Sequence, residues 1–126
     1  MVEAVFLKLF WDRVSPETDP SSSDNLLIFG VGVLTGTLAP GSNRTILTAL
    51  SPQTNLQTYS SLGEFWGAEL KHTGYDILII SGKSSKPVSL WINDHKTEIR
   101  DVDHLWGKDV SGTKKIIRDE LKQNVL

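Results

Sequence analysis

The stretch FWGAELKHTGYD, residues 65–76, runs directly into the apolar segment DILIISG, residues 76–82. Ser61 is followed three positions later by a glutamate, and this spacing matches a capping box, in which two side chains satisfy free N–H groups at the start of a helix. We therefore predict a helix that is capped by Ser61 and ends near Thr73, with Gly74 as its left-handed stop. The segment after it lacks a polar face, which predicts a strand inside a sheet.

The residues before this helix predict another helix, a loop and two strands. Apolar side chains recur at helical spacing over residues 2–14 and predict an amphipathic helix. Two prolines and four serines at 15–25 predict a polar loop. The apolar run LLIFGVGV at 26–33 predicts a buried strand, a glycine-containing loop follows at 35–44, and the alternation at 45–50 predicts another strand.

The residues after it predict a hairpin and a final helix. PVSLWIND at 87–94 and KTEIRD at 96–101 form the two arms of the hairpin, with Asn93, Asp94 and His95 at the bend. Residues 109–123 predict a surface helix with an apolar stripe. The stripe consists of Val110, Thr113, Ile117 and Leu121. Together these elements predict an α+β fold with a mixed or antiparallel sheet and flanking helices.

Composition argues against several classes of function. The 126 residues fit one ordinary domain, and we expect a single domain over residues 1–126. The net charge of -2 and the pI of about 5.9 argue against a nucleic-acid partner, which clustered Lys and Arg would indicate. No apolar run approaches the roughly 20 residues that cross a bilayer, and the first residues lack the apolar core of a signal peptide. We therefore expect no membrane partner and a cytoplasmic location. The chain has no cysteine, so it cannot form disulfides or ligate an iron–sulfur cluster through thiolates.

Three glycines, Gly30, Gly32 and Gly36, invite comparison with a nucleotide-binding loop, because glycine lets a backbone approach a phosphate closely. Their spacing matches neither GxGxxG nor GxxxxGK[ST]. We interpret them as glycines that serve turn geometry.

No pattern of catalytic or metal-binding residues is present in the sequence. His72, His95 and His104 stand far apart, and none belongs to an HxxxH or HExxH pattern. His72 is predicted at a helix C-terminus and His95 in the hairpin turn. The loop DVDHLWGKD around His104 does not supply a glycine and a distal glutamate at the positions that an EF-hand requires, which favours a solvated acidic turn. We predict no metal site and no catalytic residue in this chain.

Four segments, in this order, resemble the amino-terminal domain of the aldehyde ferredoxin oxidoreductase family, the tungsten-pterin enzymes. They are LLIFGVGVLTGTLAPGSNR (26–44), LSPQT (50–54), GEFWGAELKHTGYDILIISGKSSKPVSLWIND (63–94) and EIRDVDHLWGKDV (98–110). The resemblance extends from about Phe6 to Leu121, which is nearly the whole chain. Its specific part is the succession of LTGT-AP, GAELK-x-x-GYD and HLWGK.

The resemblance implies the cofactor-platform portion of a tungsten-pterin oxidoreductase that converts aldehydes to carboxylates and passes electrons to ferredoxin. The implied cofactor is tungstopterin, a bis-pterin complex of tungsten or, in some members, molybdenum. In the family's full enzymes a [4Fe–4S] cluster is held by later domains. Arg44 matches the family's pterin-contacting arginine, and Ser61, Leu62 and Gly63 match its Asn-Ser-Gly turn. We expect this chain alone to be inactive, with the remaining domains or a further subunit as partners.

Differences from the family pattern leave a second function open. Ser61 stands where the family has asparagine, Glu64 where it has glycine, and Asn43 where a glycine precedes Arg44. The alternative is a degenerate homologue that acts as an interaction or scaffold protein without a cofactor. An autonomous hydrolase has the least support, because no nucleophile and base stand at a recognisable spacing. We also expect exposed apolar edges to favour a homo-oligomer.

Overall fold

The computed structural model describes residues 2–94 and 96–121, apart from the side chains of residues 2 and 3. The described helices and strands are α1 (Val2–Arg13), β1 (Leu27–Val31), β2 (Thr45–Leu50), β3 (Gln57–Leu62), α2 (Trp66–His72), β4 (Ile77–Ile80), β5 (Val88–Asn93), β6 (Lys96–Asp101) and α3 (Val110–Leu121), with a short 3-10 helix at Asp103–Leu105. They belong to two compact units. The first holds the described residues up to Lys83 together with Asn93 and Asp94, and the second holds the other described residues. The expected single domain over residues 1–126 stays a prediction.

The first unit is built on a four-stranded antiparallel sheet with the order β3-β2-β1-β4. Ile28 of β1 lies opposite Thr48 of β2 and Ile79 of β4. Because side chains alternate along a strand, these three share one face of the sheet, while Phe29 belongs to the other face. Antiparallel strands flanked by helices confirm the predicted α+β class.

Helix α1 covers the sheet face that carries Ile28. Phe6 and Phe10 of α1 are 2% and 4% exposed and form one apolar cluster with Ile28, Val14 and Leu50. The ring of Phe6 occupies the space where Gly30 has no side chain, because a Cβ built there would lie 1.9 Å from its Cζ. The predicted helix is confirmed. Gly30 lies within β1 rather than in a turn, so its glycine serves helix packing instead of turn geometry.

A methyl group at position 30 should destabilise the first unit. Gly30→Ala overpacks the contact with Phe6, and overpacking a core typically costs about 1–3 kcal/mol of unfolding free energy. The matched control is Gly63→Ala, since a Cβ built there meets no described residue within 4 Å other than its chain neighbours. Urea unfolding of the two variants and the wild type measures the difference. Equal stability of the two variants would contradict the packing role of Gly30.

The predicted capping box is wrong. Ser61 belongs to β3, where it pairs with Ile46, and α2 begins only at Trp66. The N-cap residue is Phe65, which makes no side-chain cap hydrogen bond. The Ser-x-x-Glu spacing also fits a strand end followed by a turn, and the pairing of β3 with β2 decides between the two.

Two expectations for the segment after α2 have different outcomes. Gly74 has a φ of 90° and donates its N–H to the Lys71 carbonyl at 3.0 Å, so its role as a left-handed helix stop is confirmed. The interior position predicted for the following strand is wrong, because among the described strands β4 pairs with β1 alone and forms an edge of the sheet. Its apolar sequence reflects partial burial of both faces: Ile77 and Ile79 pack against the cluster under α1.

The second unit contains the predicted hairpin, with β5 and β6 as a two-stranded sheet. His95, placed at the bend by the sequence, lies outside the described residues. The Arg100 guanidinium lies 4.4 Å from the ring centre of Trp91 and donates to Glu98 at 2.8 Å. Hydrogen bonds from Lys96 first, and then from Arg100, hold the pKa of the Glu98 carboxyl below its usual value.

Helix α3 begins next to Asp109, whose carboxylate accepts the Gly112 N–H at 2.7 Å. A carboxylate in this position satisfies a free N–H group of the first turn. Thr113 and Ile117 of the predicted stripe are half-buried. Val110 is 85% exposed, so its place in the stripe is wrong: the stripe begins one turn later. The last two predicted helix residues lie outside the described part of the chain.

Candidate functional site

Register brings the four predicted binding residues together at one end of the first unit's sheet. Leu62, the last residue of β3, pairs with Thr45, the first residue of β2. Arg44 directly precedes that pair on one strand and Gly63 directly follows it on the other. Arg44 Nη1 donates to Ser61 Oγ at 3.1 Å, although the two residues are 17 positions apart. Their role in binding a cofactor stays a prediction.

The guanidinium of Arg44 is available to an anion. Both Arg44 and Ser61 are exposed. Within the described residues, no carboxylate lies within 4.0 Å of this guanidinium, and the hydroxyl of Ser61 is its hydrogen-bond partner. An arginine has five N–H donors in a planar fork, so most of them remain free to bind phosphate or carboxylate oxygens.

The loop before Arg44 is braced internally. Thr35 is 2% exposed; its hydroxyl accepts the Gly32 N–H at 2.9 Å and donates to the Ser42 carbonyl at 2.8 Å. The Asn43 side-chain oxygen accepts the Gly36 N–H at 3.1 Å. These bonds fix the path of the backbone that delivers Arg44 to the end of the sheet. Sequence reasoning missed Thr35, because an isolated threonine in a glycine-containing loop carries no periodic signal.

A three-residue turn, Gly63 to Phe65, joins β3 to α2. Apart from its chain neighbours, no described residue comes within 4 Å of the place where a side chain would begin at Gly63, which leaves room for a ligand close to the backbone. Glu64 has a φ of 61°, a left-handed conformation that costs a residue with a Cβ about 1–2 kcal/mol. The left-handed backbone at Glu64 therefore favours glycine, which is the residue that the family pattern has at this position.

Helix α2 packs closely on the same end of the sheet. Gly67 and Ala68 are buried, and the Trp66 ring lies 5.1 Å from the ring of Phe29, centre to centre. The hydroxyl of Thr45 is fully buried under this helix and has no hydrogen-bond partner among the described residues. No local sequence pattern predicts this contact, because it joins a strand and a helix that are distant along the chain.

Other titratable residues are paired or dispersed. His72 lies in the last turn of α2, as predicted. His104 Nε2 lies 2.9 Å from a carboxylate oxygen of Glu120, and Lys86 lies 3.8 Å from Asp101. Among residues 2–94 and 96–121, no group of three His, Cys, Asp or Glu side chains is placed to hold a metal ion. In the same part of the chain, no helix has the length and apolar character needed to cross a membrane.

These features define an α+β unit with an exposed arginine at one end of its sheet. The chain belongs to the aldehyde ferredoxin oxidoreductase family, because the family model described as aldehyde ferredoxin oxidoreductase, N-terminal domain, matches residues 3–126. This finding confirms the resemblance drawn from the sequence motifs.

Three similar proteins show how much of the family's length is matched. The tungsten-containing aldehyde ferredoxin oxidoreductase of Pyrococcus furiosus is 44% identical over 118 residues, which are 94% of this chain and 19% of the relative. The enzyme of the same name from Thermococcus kodakarensis is 43% identical over 123 residues, or 98% of this chain and 20% of the relative. A solved structure described as the active site complex BamBC of benzoyl coenzyme A reductase with 1,5-dienoyl-CoA has a TM-score of 0.91 and 51% identity, covering 95% of this chain and 18% of that one. The chain therefore spans about a fifth of the length of these relatives, which contain further domains.

Replacing Glu64 should separate the cost of its backbone conformation from the effect of its charge. Glu64→Gly removes the Cβ from a left-handed residue and should raise the unfolding free energy by about 0.5–1 kcal/mol, after allowing for the greater flexibility of glycine in the unfolded chain. Glu64→Ala keeps the Cβ and removes the same carboxylate, so it serves as the control. Urea unfolding measures both, and an alanine variant as stable as the glycine variant would show that the conformation is not costly.

Proposed function

We propose that this chain forms the cofactor-platform part of a tungsten-pterin oxidoreductase, with Arg44, Ser61, Leu62 and Gly63 as the residues that receive the phosphate end of the pterin. The observation that carries this proposal is the Arg44 guanidinium, exposed beside Ser61 and without a carboxylate partner among the described residues. The tungsten named in the 43% and 44% identical relatives supports the choice of metal.

The donor set suits a phosphate monoester. Arg44 would bind two phosphate oxygens with two parallel N–H groups, which is the geometry that guanidinium groups favour. Ser61 holds the guanidinium through its hydroxyl at 3.1 Å and so limits the rotamers of a flexible side chain. The pairing of Leu62 with Thr45 sets the register in which β3 and β2 end side by side. Gly63 leaves space beside the backbone.

When bound in a complete enzyme, tungstopterin supplies the two-electron oxidation of an aldehyde to a carboxylate. The part of this chain is to bind and orient the anionic end of that group through fixed positive charge. No cysteine is present to ligate a [4Fe–4S] cluster, so such a cluster would be held by the domains that this chain does not match. We propose ferredoxin as electron acceptor of the complete enzyme and catalytic inactivity of this chain alone. Homo-oligomerisation and a cytoplasmic location stay predictions.

A second candidate concerns the substrate of the complete enzyme. The solved structure titled as a benzoyl coenzyme A reductase complex is 51% identical to this chain, compared with 44% for the aldehyde enzyme of P. furiosus. This observation favours an aromatic coenzyme A thioester as the alternative substrate class. An assay of the purified complete enzyme with aldehydes and with benzoyl-CoA, each with a matching electron carrier, would discriminate the two.

Replacing Arg44 should weaken phosphate binding. A charged hydrogen-bond donor of this kind contributes about 1.5–3 kcal/mol, so Arg44→Ala should raise the Kd for a phosphorylated pterin by roughly 10–150-fold. Arg44→Lys keeps the charge but loses the two-point contact, and should fall between the alanine variant and the wild type. Fluorescence titration is suitable because Trp66 begins the helix that follows Gly63.

Arg13→Ala is the matched control, since Arg13 is an exposed arginine of the same unit in the last turn of α1. It removes one positive charge from the unit and should leave the Kd unchanged. Equal losses in the Arg13 and Arg44 variants would indicate attraction by general charge. Absence of saturable binding by the wild type would overturn the platform proposal and favour the interaction or scaffold alternative.

A further inference from the structure

Gly67 of α2 lies directly against Thr45 of β2. A Cβ built on Gly67 would lie 2.3 Å from Thr45 Oγ1, 3.4 Å from Thr35 Cγ2 and 3.5 Å from Val31 Cγ1. Real Cβ atoms essentially never approach a neighbour to 2.3 Å, so even alanine at this position requires the Thr45 side chain, the helix or the strand to move. The three facing residues are themselves buried, which leaves little room for them to yield.

Thr45 connects this contact to the candidate binding site. It follows Arg44 directly in the chain and pairs with Leu62, the neighbour of Ser61 and Gly63. Its hydroxyl is fully buried, and the described part of the chain offers it no hydrogen-bond partner. An unpaired buried hydroxyl typically costs about 1–3 kcal/mol, so hydrogen bonding does not explain the choice of threonine here, whereas contact with a helix at close range does.

The turn between β3 and α2 is too short to absorb a shift of the helix. It has three residues, Gly63 to Phe65, and its middle residue Glu64 is already in the left-handed region with a φ of 61°. A helix pushed away from Thr45 must therefore pull this turn away from Arg44. Such a shift would change the distance between the turn and Arg44 without removing any charge from the site.

We propose that Gly67 and Thr45 are positioning residues for anion binding: the contact of the Thr45 side chain with the Gly67 backbone sets the distance between α2 and β2 and thereby holds Gly63 and Ser61 beside Arg44. This inference rests on the proposed function of the Arg44 site and adds to it a pair of residues that touch no ligand.

A double-mutant cycle tests the proposal. Gly67→Ala should raise the Kd for a phosphorylated pterin about tenfold, which lies within the usual range of coupling between residues in contact. The double variant Gly67→Ala/Thr45→Ala removes the threonine hydroxyl that the new Cβ would meet, and should bind within about twofold of the wild type. Thr45→Ala alone leaves a gap under α2, so it should also raise the Kd, by a smaller factor than Gly67→Ala does.

Gly30→Ala is the matched control for a structural effect. It overpacks the opposite face of the same sheet, against Phe6, and should lower stability while leaving the Kd unchanged at a temperature where the protein is folded. If Gly67→Ala does not fold, the double variant decides alone: it should regain both folding and binding. A folded double variant that binds as weakly as an Arg44→Ala protein would overturn the positioning role, as would a Gly67→Ala protein with wild-type Kd.

The amide chemical shifts of Ser61, Gly63 and Glu64, measured without ligand, show whether the positioning role fails or the proposed cofactor binding fails. Gly67→Ala should shift them, and the double variant should restore them, whether or not a pterin binds. Restored shifts in a protein that binds no pterin would overturn the function and leave the positioning intact. Unchanged shifts in Gly67→Ala would overturn the positioning and leave the function to the Arg44 test.

Discussion

On each face of the first unit's sheet, a helix packs closely at a position where a glycine has no side chain. On one face Phe6 fills the space above Gly30, and on the other Thr45 lies where a Cβ of Gly67 would stand. Both contacts are close-packed, so a single methyl group must displace a phenylalanine ring at Gly30 and a buried threonine side chain at Gly67. The two glycines thus set the thickness of the unit on both sides. The apolar cluster of Phe6, Phe10 and Ile28 then buries the face that α1 covers.

The candidate site is a consequence of this packing rather than an addition to it. Strands β2 and β3 end side by side because Thr45 pairs with Leu62, and the residues flanking that pair are Arg44 and Gly63. The braced loop around Thr35 delivers Arg44 from one side, and the helix resting on Thr45 fixes the turn from the other. A positive side chain held at an exposed strand end, with open space beside a glycine, suits recognition of an anionic group by a partly prebuilt surface. The relatives that contain this unit are about five times longer, which agrees with a platform that works together with other domains.

The sequence predicted the positions of helices and strands better than it predicted which strands pair with one another. Strand 45–50 was predicted at its observed bounds and the helix over 2–14 nearly so, because periodic apolar patterns report burial directly. The capping box failed because Ser61 and Glu64 fit two local structures equally well, and only pairing with β2 places Ser61 in a strand. The edge position of β4 was missed because an apolar strand reports covered faces and says nothing about hydrogen-bonding neighbours. Arg44 and Ser61 were both singled out through family motifs, but their 3.1 Å contact follows from register, which no local pattern encodes. The Gly67–Thr45 contact could not be predicted from the sequence for the same reason.

The most direct test of the account is a heteronuclear NMR titration of the chain with a phosphorylated pterin, observing backbone amides and the arginine side-chain Nε–H groups together. The account predicts saturable shifts of the Arg44 Nε–H and of the Ser61, Leu62 and Gly63 amides, with the Arg13 Nε–H and the amides of α3 unchanged. Saturable shifts centred on another surface, or none at concentrations that saturate phosphate-binding arginine sites, would contradict the claim that this end of the sheet receives the cofactor.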